Sequence, residues 1–236
     1  MLCTISSNVR ATFFAELSPE DLETLARATA VVPDEADGRR RRGNATRESI
    51  LQAAADVASV EGLEGLTIGR LATELGMSKS GLFAHFGSKE ELQLATIDAA
   101  RRRFVDHVIR PSRGLPRGRA RLEALLIDWL QYFRSEVFRG GCFFNAVKAE
   151  FDSRPDGPVR AAITEDVRQF LAFLAREVRK AQEAGDLDSA VDPEQLAFEL
   201  DAFGGAANHH YQFMRDKAVF DRAAAAMRGR LDAVAT

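Results

Sequence analysis

Ser78, Lys79, Ser80 and Gly81 follow directly on Gly76-Met77, with Phe83, His85 and Lys89 just beyond them. Hydroxyls, ammonium groups and an imidazole packed this closely offer hydrogen-bonding and phosphate-pairing chemistry. Such groups hold phosphate oxygens, and Lys and Ser also reach the edges of bases. Catalytic chemistry has no comparable footing. No paired nucleophile and base, no metal cluster and no phosphate-cradling glycine loop occurs with usable spacing. Binding is therefore favoured over turnover, no cofactor or metal is expected, and a helical-bundle enzyme is the weaker alternative.

The elements that position these residues are short. In LATELGMSKSGLFAHFGSKEEL, residues 71–92, Gly76 ends one helix in the manner of a left-handed C-terminal glycine, and Ser78 caps the next. Thr67 opens the first of the two, with Ile68, Leu71, Ala72 and Leu75 inward; Leu75, Met77 and Leu82 lock the angle between them. Ser88 and Glu91 form a capping box for a longer helix that runs to Arg110, where Pro111 stops it. Isolated two-turn helices are marginal in water. Their length makes sense if only the first turn or two of one helix enters a DNA major groove while the other braces it. Before them, a helix from Thr46 places Ile50, Ala54, Val57 and Ala58 on one face and stops near Glu61-Gly62.

The stretch 46–100 closely resembles the N-terminal domain of TetR-type transcriptional repressors. The resemblance is carried by E-G-x-x-x-L-T ahead of the second helix, L-x-x-x-L-G-x-S-x-x-x-L-F/Y-x-H-F through the turn, and S-K-E-E-L at the start of the fourth helix. It implies phosphate contacts from Arg47, Thr67 and Lys89, and a phosphate or groove-edge contact from His85. Ser78, Lys79, Ser80 and Gly81 fall at the groove-facing end. Gly81 brings no side chain, which leaves direct base reading to Lys79 and Ser80. Phe83 stands where the family usually has Tyr; without the hydroxyl its expected role is mainly packing. The resemblance also implies a homodimer on a palindromic operator, repressing until a small-molecule effector binds.

The remaining chain reads as helical throughout, so the fold expected is all-α. Leu122, Leu125, Leu126, Trp129 and Phe133 form one apolar stripe. A short helix covers Phe143 to Phe151, a long one starts at Pro158 and ends at Gly185, and Asp192-Pro193 caps another carrying Leu196, Leu200, Phe203 and Tyr211. A last amphipathic stretch holds Phe220, Met227 and Leu231. Resemblance is looser here: GGCFFNAVKAEFDSRP and GDLDSAVDPEQLAFELDA are similar to a subgroup of TetR-type C-terminal domains, which implies effector binding and dimerisation through helices near 158–184 and 193–215. Phe104, His107, Trp129, Phe133, Phe144 and Asn145 are the residues expected to line a largely apolar effector site. Gly204-Gly205 would permit close approach at the dimer seam. The fourth helix, reaching from Ser88 to Phe104 and His107, would act as a lever between the halves. His209-His210 are read as polar interface positions, and Cys142 as either a thiol sensor or an inert buried thiol.

Composition agrees with a soluble globular protein: hydrophobic residues make up 46% and charged residues 28% of 236. A formal charge of −3 speaks against a sequence-indifferent architectural DNA binder, the other alternative. Two cysteines and no apolar run of membrane-spanning length fit the cytoplasm. Three segments are expected. Residues 1–43 form an extension with a short helix at 18–30 and a basic tether at Arg39–Arg42, which serves as a DNA arm, as a mere tether, or is absent from the native chain. Residues 44–104 form the DNA-binding domain, and 105–236 the effector and dimerisation domain. The second arginine run, Arg101–Arg103, is read as a solvated face.

Overall fold

The structure, a computed structural model, describes the backbone of residues 35–236 and side chains from residue 43 onward. The chain divides into compact units at Met1–Ala45 and Thr46–Thr236. The helix expected at 18–30 and the side chains of Arg39–Arg42 lie outside the described residues. Helix α1 spans Glu35–Gly65, so it starts well before Thr46, and the Arg39–Arg42 backbone is helical where a tether was expected. Arginine, alanine and glutamate are good helix formers and no proline interrupts them. Gly62 breaks the helical conformation with φ 76° and ψ 168°. The amides beyond that break are taken up by a carboxylate from far along the chain: Glu150 accepts from Leu63 N at 2.7 Å and Glu64 N at 2.9 Å.

Then come α2 (Ile68–Leu75), α3 (Lys79–Phe86) and α4 (Lys89–Phe104). A π turn at Val105–Ile109 extends α4 to Arg110, and Pro111–Gly114 adds a 3₁₀ turn. The second half holds α5 (Arg119–Arg134), α6 (Phe143–Phe151), α7 (Pro158–Glu183), α8 (Pro193–Met214) and α9 (Ala218–Asp232). The fold is all-α, and a single antiparallel bridge between Leu187 and Ala235 is the extent of β pairing among the described residues.

The short helices are held by packing. Leu71, Leu82, Phe86 and Leu92 are completely buried or nearly so, alongside Ile50, Ala54, Ala58, Leu63 and Leu66. Leu75 and Met77 are only half-buried, so Leu82 and Phe86 fix the angle more than they do. In the second half α7 packs on α8, α8 on α9, and α5 beneath them.

The run Arg101–Arg103 is not a solvated face. Arg101 pairs with Asp166 of α7 through two nitrogens and with Asp98, its own side chain only 12% exposed and that of Asp166 5%. Arg103 bonds Asp56 of α1 and the Val137 carbonyl, and stacks over Phe138 at 4.3 Å. Only Arg102, paired with Glu48, is well exposed. Sequence shows the charges but not the acidic partners, which come from 47 and 65 residues away. The two glycines also part company. A Cβ on Gly204 would sit 2.5 Å from the Trp129 ring, so its close approach lies inside the subunit; one on Gly205 would meet nothing within 4 Å.

Candidate nucleic-acid interface and aromatic cluster

The tip formed by α2 and α3 is built by capping. Thr67 Oγ1 accepts from Arg70 N, and Ser78 Oγ accepts from Gly81 N at 3.1 Å. Each hydroxyl thus spends an acceptor on its helix and keeps its own proton to donate outward. Between them Gly76 adopts φ 62° and ψ 26°, its amide bonding back to Ala72 and Thr73. This left-handed geometry turns the chain from α2 into α3 in the fewest residues. Gly81 keeps the Ser78 cap close: a Cβ there would lie 3.0 Å from Ser78 Oγ.

The residues expected to meet DNA come together on this tip. Ser78, Lys79 and Ser80 are exposed, with Gly81 half-buried behind them. The aliphatic end of Lys79 passes over Gly69, whose missing Cβ gives it room at 3.4 Å. Phe83 is 52% exposed, so packing does not account for it, contrary to expectation. On a helix that entered a major groove, an exposed ring would suit contact with a thymine methyl. His85 is half-buried near the Phe86 ring, and Arg47 lies over Phe86 at 4.5 Å, a cation–π contact that braces its guanidinium beside α3.

Lys89 is engaged elsewhere: its ammonium donates to the carbonyl and carboxylate of Glu64, both at 2.9 Å. That hydrogen bond holds the Glu64 carboxyl below its ordinary value. A phosphate would have to draw Lys89 away from Glu64. The pair is about 42% exposed on each side, where such bridges hold weakly.

In the other half, rings converge on Phe104. Its centroid lies 5.4 Å from Tyr132, 5.9 Å from Phe144 and 5.3 Å from Phe170, and Phe170 is 5.0 Å from Trp129. Phe133 joins through Trp129 and Tyr132 but faces Phe220 on its other side. Asn145 follows Phe144 on α6. His107 does not join them: it is exposed, with Nδ1 against the Arg103 carbonyl at 2.8 Å. It lies on the turn's solvent side, three residues from Phe104 and within a π turn that alters the helical register. Tyr132, which was not singled out, belongs to the cluster; its place on the stripe three residues after Trp129 was a usable signal. Cys142 is buried, and burial pushes its thiol up, which disfavours the reactive thiolate. His209 and His210 are exposed, His209 against Phe213 at 5.0 Å.

A loop between α5 and α6 joins the two halves, and sequence reasoning missed it. Arg139 reaches Glu74 of α2 at 2.9 Å, and Gly140 N donates to Ser59 Oγ at 3.0 Å. A Cβ on Gly140 would fall 1.9 Å from the Ser59 carbonyl, so only glycine permits this contact. From the same loop Cys142 N donates to Asn208 Oδ1, and Tyr211 bonds Glu136, both to α8. Helix α4 is thus not the sole link: this loop and Glu150 of α6, which caps the end of α1, also join the halves.

Comparison with known proteins agrees with this geometry. Residues 50–96 match the description "Bacterial regulatory proteins, tetR family", and residues 118–227 match "Tetracyclin repressor-like, C-terminal domain". The chain is 36% identical over 102 residues to an uncharacterized HTH-type transcriptional regulator of Mycobacterium tuberculosis, a match spanning 39% of this chain and 45% of that protein. A TetR transcriptional regulator from Chloroflexus aurantiacus shares the fold with a TM-score of 0.76 at 22% identity, over 83% of this chain and 98% of that one. The regulator AibR, solved with isovaleryl coenzyme A and operator DNA, shares it with a TM-score of 0.60 at 22% identity, over 78% of this chain and 96% of its own. With both halves matched, the capped α2–α3 tip and the helical body behind it are those of a DNA-binding regulator rather than an enzyme, and the chain belongs to the TetR family of transcriptional regulators.

Proposed function

We propose that the protein is a homodimeric repressor that binds a palindromic operator and is released by a small, largely apolar effector. The observation that carries the DNA reading is the α2–α3 tip, which presents Lys79, Ser80 and Phe83 to solvent on capped two-turn helices. Lys79 and Ser80 are the base readers. Arg47, Thr67, Ser78, His85 and Lys89 hold backbone phosphate, Lys89 after leaving Glu64. The dimer reading draws on an exposed stripe along α8. Phe198 is 61% exposed and Phe213 79%, with Ala202, Gly205, Ala206 and His209 between them on the same side. Large exposed apolar groups aligned on one helix mark an interaction surface. Small residues at its centre let a second α8 approach closely.

Effector release draws on the aromatic cluster and its links to the DNA half. A ligand lodged among Phe104, Trp129 and Phe144 would bear on α4 directly and on the loop through α6. Recognition helices of a dimer must stand about 34–36 Å apart to enter successive major grooves, so a modest tilt of α4 suffices to release DNA. AibR, whose structure holds both an acyl coenzyme A and operator DNA, is a precedent for both sites in one chain.

The test is operator selection with the purified protein, followed by footprinting and sedimentation. An inverted repeat bound by a dimer is the expected result. Equal affinity for all sequences would replace the repressor with an architectural binder, and a monomer on a single half-site would remove the α8 seam.

A further inference from the structure

One side chain of the aromatic cluster is almost wholly buried and carries a polar atom with no hydrogen-bond partner among the described residues. That residue is Trp129, 4% exposed, with Nε1 unmatched; the Tyr132 hydroxyl, equally buried, lies against the Cys142 thiol and the Phe143 amide. A second buried atom, Asn145 Nδ2, is unmatched in the same way. These residues are not scattered. Phe104 touches the rings of Tyr132, Phe144 and Phe170, Phe170 touches Trp129, and Asn145 adjoins Phe144. An unmet buried donor is costly in a folded protein, so two of them on helices that meet at Phe104 call for an occupant that supplies what is missing.

What is missing is an acceptor. An indole N–H and an amide NH₂ can only donate. The occupant must therefore bring lone pairs into an aromatic surround. A protonated amine brings none and would leave both nitrogens unmet. An anion brings them, but at a cost. Asp201 lies one turn from Gly204, against which the Trp129 ring rests, and Asp128 adjoins Trp129 on α5. Burial already pushes both carboxyls up, with only Lys148 on α6 to offset Asp201, and a further negative charge would worsen that penalty.

We infer that the effector is an uncharged apolar molecule carrying a carbonyl-type oxygen, such as a ketone, ester or lactone, which accepts hydrogen bonds from Trp129 Nε1 and Asn145 Nδ2. This rests on the effector reading above and narrows it to a chemical class. Trp129 is the chain's one tryptophan, so it reports on itself. In a nitrogen-labelled sample of the full chain it gives a single indole N–H resonance. Four probes with one phenylalkyl body separate the classes: benzylacetone, butylbenzene, hydrocinnamate and phenylpropylamine. Benzylacetone should shift the indole resonance downfield saturably and bind roughly tenfold tighter than butylbenzene, about the worth of one hydrogen bond. Trp129→Phe and Asn145→Leu, followed by calorimetry, should each narrow that ratio towards one. Equal binding of ketone and hydrocarbon with an unmoved indole resonance would overturn the carbonyl class while leaving an apolar effector site. Tightest binding by hydrocinnamate or phenylpropylamine would overturn the uncharged class. Saturable binding by none of the four would remove the cluster as a ligand site and the effector reading with it.

Discussion

At the α2–α3 tip, polar groups stand in solvent and find their structural partners a few residues away in the chain, as Thr67 does with Arg70 and Ser78 with Gly81. From the end of α4 into the second half, polar groups are buried and their partners come from far along the chain. Arg101 meets Asp166 across 65 residues, Cys142 N meets Asn208 across 66, and Trp129 Nε1 meets no one. Local capping builds a surface that can be exposed and still hold its shape. Distant pairing builds an interior whose geometry depends on several helices at once. The first suits a rigid reader of DNA, and the second suits the effector-responsive part proposed above.

The sharpest way to break this contrast is to remove one partner from an ion pair in each region. Asp166→Ala takes away the buried partner of Arg101, leaves it only the more exposed Asp98, and should cost about 3 kcal/mol. Glu64→Gln removes the partner of exposed Lys89 and should cost at most about 1 kcal/mol. Urea denaturation of both variants, at a protein concentration that fixes the oligomer, measures the two losses. Similar losses would mean that burial does not separate the regions.

Next in size is a pair of glycines. Gly204→Ala drives a methyl into the Trp129 ring, and overpacking of this kind costs about 1–3 kcal/mol. Gly205→Ala meets open space within its own chain and gains up to about 1 kcal/mol of helix propensity. Sedimentation separates a further effect: if α8 forms the seam, Gly205→Ala weakens the dimer while Gly204→Ala disturbs Trp129 fluorescence instead. Interchangeable outcomes at the two positions would contradict their opposite orientation.

The contrast also explains what could be read from sequence. Gly76, Ser78 and the boundaries of α2 and α3 were legible because a cap and its amide lie three residues apart, within the reach of any local pattern. The stripe from Leu122 to Phe133 was legible by period alone. Glu150 as the cap of the α1 break, Arg139 on Glu74 and Gly140 on Ser59 were not, since each joins residues 65 to 87 apart in the chain. His107 failed for a local reason: the π turn at Val105–Ile109 changes the register that would have aimed it inward. Arg101–Arg103 failed because a run of charge looks the same in sequence whether its partner is water or aspartate.

On DNA the regions should separate Lys79 from Lys89. Lys79→Ala should relax preference at one operator position by about 1–3 kcal/mol, whereas Lys89→Ala should weaken every sequence alike and lower the salt slope by about one. Glu64→Gln sharpens the point, because it releases Lys89 and should tighten binding to all sequences. Identical profiles for the two lysine variants across an operator library would sink the division of labour.

The smallest effect expected is also the one whose sign differs between the regions. Glu74 at the DNA end has its carboxyl held below the ordinary value by hydrogen bonds from Arg70 and Arg139. It therefore contributes stability above its unfolded value, and that contribution is lost as pH falls through the lowered folded value. Glu74→Gln should melt earlier than wild type at pH 7, with the gap closing in acid. Asp201 beside the cluster has its carboxyl pushed up by burial, with Lys148 pulling the other way. Its charged form is disfavoured by folding, so wild type carries a penalty that is complete above the raised folded value and vanishes only well below the unfolded value of about 4, where both states are protonated. Asp201→Asn should therefore melt later than wild type at pH 8 and approach it as pH falls towards 4. The gain is limited because the substitution leaves Lys148 without its neighbouring charge. Melting curves for both variants from pH 4 to pH 8 should diverge from wild type in opposite directions as pH rises. Divergence in the same direction would mean that Asp201 is favoured in its charged form, and that the surround of Trp129 is more polar than its buried, unmatched donors imply.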